Sequence, residues 1–67
     1  MRLAERNMIQ ELAEQLEHSN ILLREGLMMA IDLKKKDLIS IYRNTYHTNE
    51  KKLARAAKMI ENYDRNN

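Results

Sequence analysis

The chain has 67 residues, no cysteine, no proline, one glycine and a formal net charge of +2. A chain this short forms one domain at most, and its own core contributes no more than about 3–5 kcal/mol of stability. The lack of cysteine excludes disulfides and thiolate metal sites, and two histidines are too few for a histidine-rich zinc site. Association with another chain is the remaining source of stability, so we expect a homodimer.

The charge is divided unevenly along the chain. Residues 1–33 carry three bases and six acids, a balance of −3, whereas residues 34–67 carry nine bases and four acids, a balance of +5. Such a division can steer partners or set the direction of self-assembly. Either the acids pair with the bases, within a chain or between two chains, or the bases form a docking surface for an acidic partner. The residues concerned are Glu11, Glu14 and Glu17 on one side, and Lys51, Arg55 and Lys58 on the other.

Strong helix formers dominate the sequence and no segment alternates with period two, which predicts an all-α protein. At 100° per residue, an apolar stripe stays in phase from residue 9 to residue 42, with Asn20 and Lys34 as polar interruptions. One long helix would produce this continuity, and so would two helices joined by a short turn. The stripe consists of Ile9, Leu12, Ala13, Leu16, Leu23, Leu27, Ala30, Ile31, Leu38, Ile41 and Tyr42.

The first predicted helix spans about residues 3–18. It ends where His18, Ser19 and Asn20 offer capping side chains ahead of an apolar run. The second spans about residues 20–46 and contains Gly26. Gly26 could close a first helix as its C′ residue, but we favour a place inside the helix, where it allows close helix crossing. A polar interval at residues 32–37 can bend or end this helix.

The third predicted helix spans about residues 49–63. The segment 47–49 marks its start, and Glu50 lies in the first turn, where the helix dipole favours an acid. Its apolar face comprises Leu53, Ala56, Ala57, Ile60 and Tyr63. We expect residues 64–67 to fray. The prediction is therefore one helical domain over residues 1–67, with two to three helices in a hairpin or small bundle completed by dimerisation.

The segment 21–33 is apolar nearly all round, which is typical of a helix packed from more than one direction. We expect it to form the core that two chains share. The candidate core or oligomer-interface residues are Ile21, Leu23, Leu27, Met28, Ala30 and Ile31.

Enzymatic motifs are missing from the sequence, which has no glycine-rich phosphate loop and no nucleophile elbow. Glu14 and His18 are neighbours at i and i+4, but a metal site needs further ligands. We therefore predict a protein that is not an enzyme and has no catalytic, metal or cofactor site. The first eight residues are too charged for a secretory signal, and the 21–33 segment is too short to span a bilayer, so we expect a cytoplasmic protein.

Two groups of residues are candidates for binding a partner. Tyr42, Arg43 and Tyr46 combine residue types that are enriched at protein interfaces. Lys51, Arg55 and Lys58, together with the lysines at 34–36, could neutralise phosphates. Residues 37–63 also have the outline of a helix-turn-helix, although the turn lacks the usual glycine and few side chains there can read bases.

The leading hypothesis is a small regulatory protein that binds another protein, as an inhibitor, anti-repressor or adaptor does. The alternative is a small nucleic-acid-binding regulator that uses the basic C-terminal half. A third possibility is a structural piece that assembles with itself and has no outside partner.

Overall fold

Two long helices, joined by a three-residue turn, fold back on each other as an antiparallel hairpin. The computed structural model describes residues 1–66. Helix α1 spans Leu3–Asp32 and helix α2 spans Lys36–Asn66. The hairpin is a rod of 49 × 14 × 13 Å. The all-α fold and the helical hairpin predicted from the sequence are confirmed.

The two helices meet along a seam with a strict seven-residue repeat. Of the seventeen buried or half-buried residues in the described chain, all but Gly26 recur at alternating steps of three and four. This period of 3.5 residues is that of a left-handed coiled coil. The seam residues of α1 are Arg6, Ile9, Ala13, Leu16, Asn20, Leu23, Leu27 and Ala30. Those of α2 are Ile39, Tyr42, Tyr46, Asn49, Leu53, Ala56, Ile60 and Tyr63.

The seam follows a repeat of 3.5 residues per turn, whereas the apolar stripe predicted from the sequence assumes 3.6. The two counts diverge by about 20° per heptad, so the predicted stripe includes residues that lie beside the seam. Leu12, Ile31, Leu38 and Ile41 belong to the predicted stripe, yet each is at least 40% exposed. The stripe is therefore correct for the seam residues it contains and wrong for these four.

The predicted helix boundaries at 18–20 and 47–49 are wrong, because both segments lie inside continuous helices. Asn20 and Asn49 are seam residues, 6% and 8% exposed, and cap no helix. The break lies at residues 33–35, inside the polar interval that the sequence marks. Gly26 lies within α1, as predicted, and a Cβ added there would be only 3.3 Å from Cε2 of Tyr42. The lack of a side chain thus lets the Tyr42 ring lie close to α1.

Asn20 and Asn49 bind each other at the middle of the seam. The Asn49 amide donates to Oδ1 of Asn20 at 2.9 Å, and the Asn20 amide donates to the Tyr46 carbonyl oxygen at 3.3 Å. Both side chains thus form hydrogen bonds when the helices pair in the register that places them opposite each other. In a slipped pairing each would be buried against apolar groups, which is costly. The pair therefore favours a single register at some expense in stability.

The turn closes α1 with a Schellman motif. The Lys34 N–H donates to the Ile31 carbonyl and the Lys35 N–H donates to the Ala30 carbonyl, at 3.1 and 2.9 Å. Lys34 has a φ of 57°, the left-handed conformation that usually selects glycine. The Lys35 carbonyl then accepts from the N–H of Ile39 as α2 begins.

An ion pair fastens the open end of the hairpin. The Arg6 guanidinium binds the Asp64 carboxylate through two nitrogens, at 3.0 and 2.9 Å. Helix α2 includes residues 64–66, whose fraying stays a prediction, and Asn67 lies outside the described residues. Within residues 1–66, neither helix combines the length and the apolar character needed to cross a membrane.

Replacing Asn49 with alanine should destabilise the hairpin by about 1–3 kcal/mol, because the Asn20 side chain stays buried and loses its donor. Replacing both asparagines with leucine should instead raise stability above that of the original chain while permitting other pairings. Urea unfolding measures the first effect, and sedimentation reports the mixture of species expected of the double variant. If the single and double variants lose stability equally, the pair does not have this role.

Replacing Lys34 with glycine should stabilise the hairpin by about 0.5–1 kcal/mol, since glycine adopts a positive φ without steric cost. Lys35→Gly is the matched control, because Lys35 is the adjacent lysine and does not have a positive φ. Thermal unfolding should rank Lys34→Gly above the original chain and Lys35→Gly at or below it. The reverse order would contradict the turn geometry.

Candidate interaction surfaces

Large apolar side chains that the seam does not use lie on the outside of the rod. Thirteen of them are exposed. Nine share one flank, at the two heptad positions beside the seam on that side, and we call this flank the outer face. Its members are Met1, Met8, Leu12, Leu22, Met29, Leu33, Leu38, Ile41 and Met59. A monomer rarely exposes so long an apolar surface unless it is used for contact.

The outer face is apolar at both ends and polar in the middle. Near the turn, Met29, Leu33 and Leu38 line a shallow groove with Gly26 and Tyr42. Near the open end, Met1 and Met59 line another groove with Tyr63. The middle of the face carries Gln15, Ser19, Thr45, Thr48, Lys52 and Arg55.

The opposite flank carries a smaller apolar set, which we call the second face. It consists of Leu3, Ile21, Met28 and Ile31, all on α1 and all at least half exposed. Ile21 and Arg24 line a shallow groove there with the seam residue Tyr46.

The predicted core residues divide into two groups. Leu23, Leu27 and Ala30 lie in the seam within one chain, and Ala30 is only 2% exposed. Ile21, Met28 and Ile31 lie outside the seam on the second face. The segment 21–33 is thus apolar all round because it contributes to the seam and to both faces.

The predicted partner-binding residues are similarly divided. Tyr42 and Tyr46 are half-buried seam residues, so only part of each ring is open to a partner. The Tyr46 ring meets the His47 ring edge-on, with centroids 5.8 Å apart. Arg43, Lys51, Arg55 and Lys58 are exposed on α2.

The helix-turn-helix outline predicted over residues 37–63 is wrong, because α2 is unbroken from Lys36 to Asn66. The basic residues Lys51, Arg55 and Lys58 therefore lie along one continuous helix. A nucleic-acid role depends on these charges alone.

The charge division does not hold the hairpin together. Among residues 1–66 the ion pairs are Arg6–Asp64, Arg65–Glu61 and His47–Glu50. The one pair that joins the helices has its base on α1 and its acid on α2, opposite to the overall division. The pairing of Glu11, Glu14 and Glu17 with Lys51, Arg55 and Lys58 within one chain is therefore not observed, and these charges remain exposed.

The Arg6 guanidinium holds the pKa of Asp64 below its ordinary value of 3.8, chiefly by hydrogen bonding to the carboxylate and further by its charge. The sequence pattern does not predict this pair, because its members are 58 positions apart. The register of the seam would have revealed it, since that register brings the start of α1 beside the end of α2.

The described residues contain no cluster of three or more histidine or acidic side chains that could hold a metal ion. Comparisons with protein-family models, curated proteins and solved structures give no match to this chain. The inferences below therefore depend on the geometry of the hairpin itself.

Acidification should loosen the open end of the hairpin. Since the folded pKa of Asp64 is lowered, its stabilising effect is complete above pH 3.8 and is lost as the pH falls through the folded pKa. Amide exchange or chemical-shift titration of residues 60–66 should show this loss below about pH 4. Asp64→Asn should show a loosened end at every pH, whereas Glu61→Asn, one turn away, should keep the acid-dependent change.

Proposed function

We propose that the protein is a small, non-catalytic regulator that acts by binding other proteins, in the manner of an inhibitor, anti-repressor or adaptor, and that it does so as a homodimer. The observation that carries the proposal is the exposure of large apolar side chains on both flanks of a rod whose seam is already filled. Two apolar flanks allow one to serve self-association and the other to serve an outside protein.

The second face is the surface that we assign to the outside protein. Ile21, Met28 and Ile31 form an apolar line along α1, and Arg24 and the open part of the Tyr46 ring lie beside it. Apolar anchors with an arginine and a tyrosine at their edge are the composition of protein-binding hot spots. Arg43, on the same flank of α2, extends the surface.

Affinity capture from the source-cell extract, with and without nuclease, tests this function. We expect the chain to retain a protein partner in stoichiometric amount after nuclease treatment. Ile21→Lys should abolish retention, because it places a charge among the apolar anchors. Glu14→Lys is the matched control, one heptad earlier on the same row of α1, and should keep the partner. Retention that disappears with nuclease would contradict the proposal.

A nucleic-acid-binding regulator is the second candidate, because Lys51, Lys52, Arg55 and Lys58 are exposed within two turns of α2. If these residues bind phosphates, Lys51→Ala with Arg55→Ala should lower affinity and reduce the salt slope by roughly one unit per contact removed. Arg2→Ala with Arg24→Ala, on the α1 side of the hairpin, is the control of equal charge. No retention of duplex DNA or RNA at low salt would exclude this candidate.

A further inference from the structure

We infer that the outer face binds a second copy of this chain to form a four-helix bundle, in which both turns lie at the same end and α1 of each copy lies beside α2 of the other. The inference rests on the proposed function, in which the chain acts through its helix flanks. It specifies which face is used for self-association and how the two copies are oriented.

The surface area of the single hairpin favours a second copy. The chain exposes 5617 Å² for a mass of 8.0 kDa. A compact monomer of this mass exposes about 4,500 Å². The excess is roughly 1,100 Å², more than the ~800 Å² that each partner buries in a standard protein interface. Covering one flank of the rod would bring the exposed area per chain back to the ordinary range.

Size and form also fit the outer face to another copy. Its two apolar regions lie at opposite ends of the rod, so a partner must be as long as the rod to cover both. Two antiparallel helices already packed at coiled-coil spacing offer such a surface, and two hairpins that pack face to face make a four-helix bundle. A two-fold axis brings equal patches of the two copies together.

Charge selects between the two possible orientations. The edge of α1 beyond the outer face carries Glu11, Glu25 and Asp32, and the matching edge of α2 carries Lys51, Lys58 and Arg65, with Asp37 near the turn. If each α1 lay beside the other α1, Glu11 would face Glu25 of the other copy, and the two Lys51 side chains would face each other. With α1 beside the partner's α2, Glu11 faces Lys58 of the other copy on both sides of the bundle, and Asp32 lies level with Asp37 next to the lysines of the turns.

This arrangement makes use of the charge division that the single hairpin does not use. Within one chain the heptad register sets Glu11 level with Lys58, but on opposite outer edges of the rod. A two-fold axis parallel to the rod leaves the position of each residue along the rod unchanged. It therefore places Glu11 of one copy beside Lys58 of the other. The polar middle of the outer face, with Lys52 and Arg55, lies between two apolar layers and stays hydrated. The turn lysines of both copies share one end, where Asp32 and Asp37 offset part of their repulsion.

Sedimentation of two single variants tests which face is used. Met28 and Met29 are adjacent and equally exposed, at 60% and 64%, but Met28 is on the second face and Met29 is on the outer face. Neither is in the seam, so lysine at either site leaves the hairpin folded, which circular dichroism verifies. Met29→Lys should weaken dimerisation by about 100-fold or more, and Met28→Lys should leave it unchanged. The opposite pattern, or a monomer of 8.0 kDa for the original chain at all concentrations, would overturn the inference.

Disulfide trapping tests the orientation, because the chain has no cysteine of its own. Ser19 and Lys52 lie nearly level in the polar middle of the outer face, and across the seam they are too far apart to join within one chain. Ser19→Cys with Lys52→Cys should form a covalent dimer on mild oxidation, while each single variant should not. Linkage by Ser19→Cys alone would place the two α1 helices side by side and overturn the orientation.

The two tests distinguish failure of this inference from failure of the proposed function. If the purified chain stays monomeric, the inference that it binds a second copy is overturned, whatever proteins the chain captures from extract. A dimer that retains no protein from extract supports the inference and contradicts the outside partner.

Discussion

The heptad seam is the constraint on which the rest of the molecule depends. With a period of 3.5 residues, it takes two positions in every seven from each helix and leaves five outside. Because the segment 21–33 is apolar at more than two positions in seven, the seam cannot bury all of it. The two apolar flanks follow directly from that mismatch, and they are the surfaces that we propose for binding.

The Asn20–Asn49 pair gives the seam its register, and the register then determines everything placed along the rod. It sets Arg6 beside Asp64, Gly26 beside Tyr42 and Leu12 level with Met59. It also sets Glu11 level with Lys58, on opposite outer edges of the rod. A pairing shifted by one heptad would bury two asparagines without partners and would break the ion pair at the open end.

Much of the fold was predictable from the sequence, and the errors have physical causes. Composition was enough to predict an all-α hairpin, and the polar interval at 32–37 contains the turn. The segments 18–20 and 47–49 predict helix caps, because isolated Ser, Thr and Asn favour helix ends. A buried Asn that pairs across a seam looks the same in sequence, and only the period of 3.5 distinguishes the two. That period also separates the seam residues Leu23 and Leu27 from the flank residues Ile21 and Met28, which the 3.6 count could not do. The residues that we propose for binding an outside partner were not predictable, since exposure depends on which seam forms.

The most direct test of whether the seam forms within one chain is an isotope-filtered NOE experiment on a mixture of labelled and unlabelled chains. The account predicts contacts between Leu16 and Leu53 within a chain, because these residues face each other across the seam. It predicts contacts between chains that involve Leu12, Met29 and Leu33, and none that involve Met28. Leu16–Leu53 contacts between chains would mean that the seam is formed by two molecules, and would contradict the hairpin and both faces defined from it.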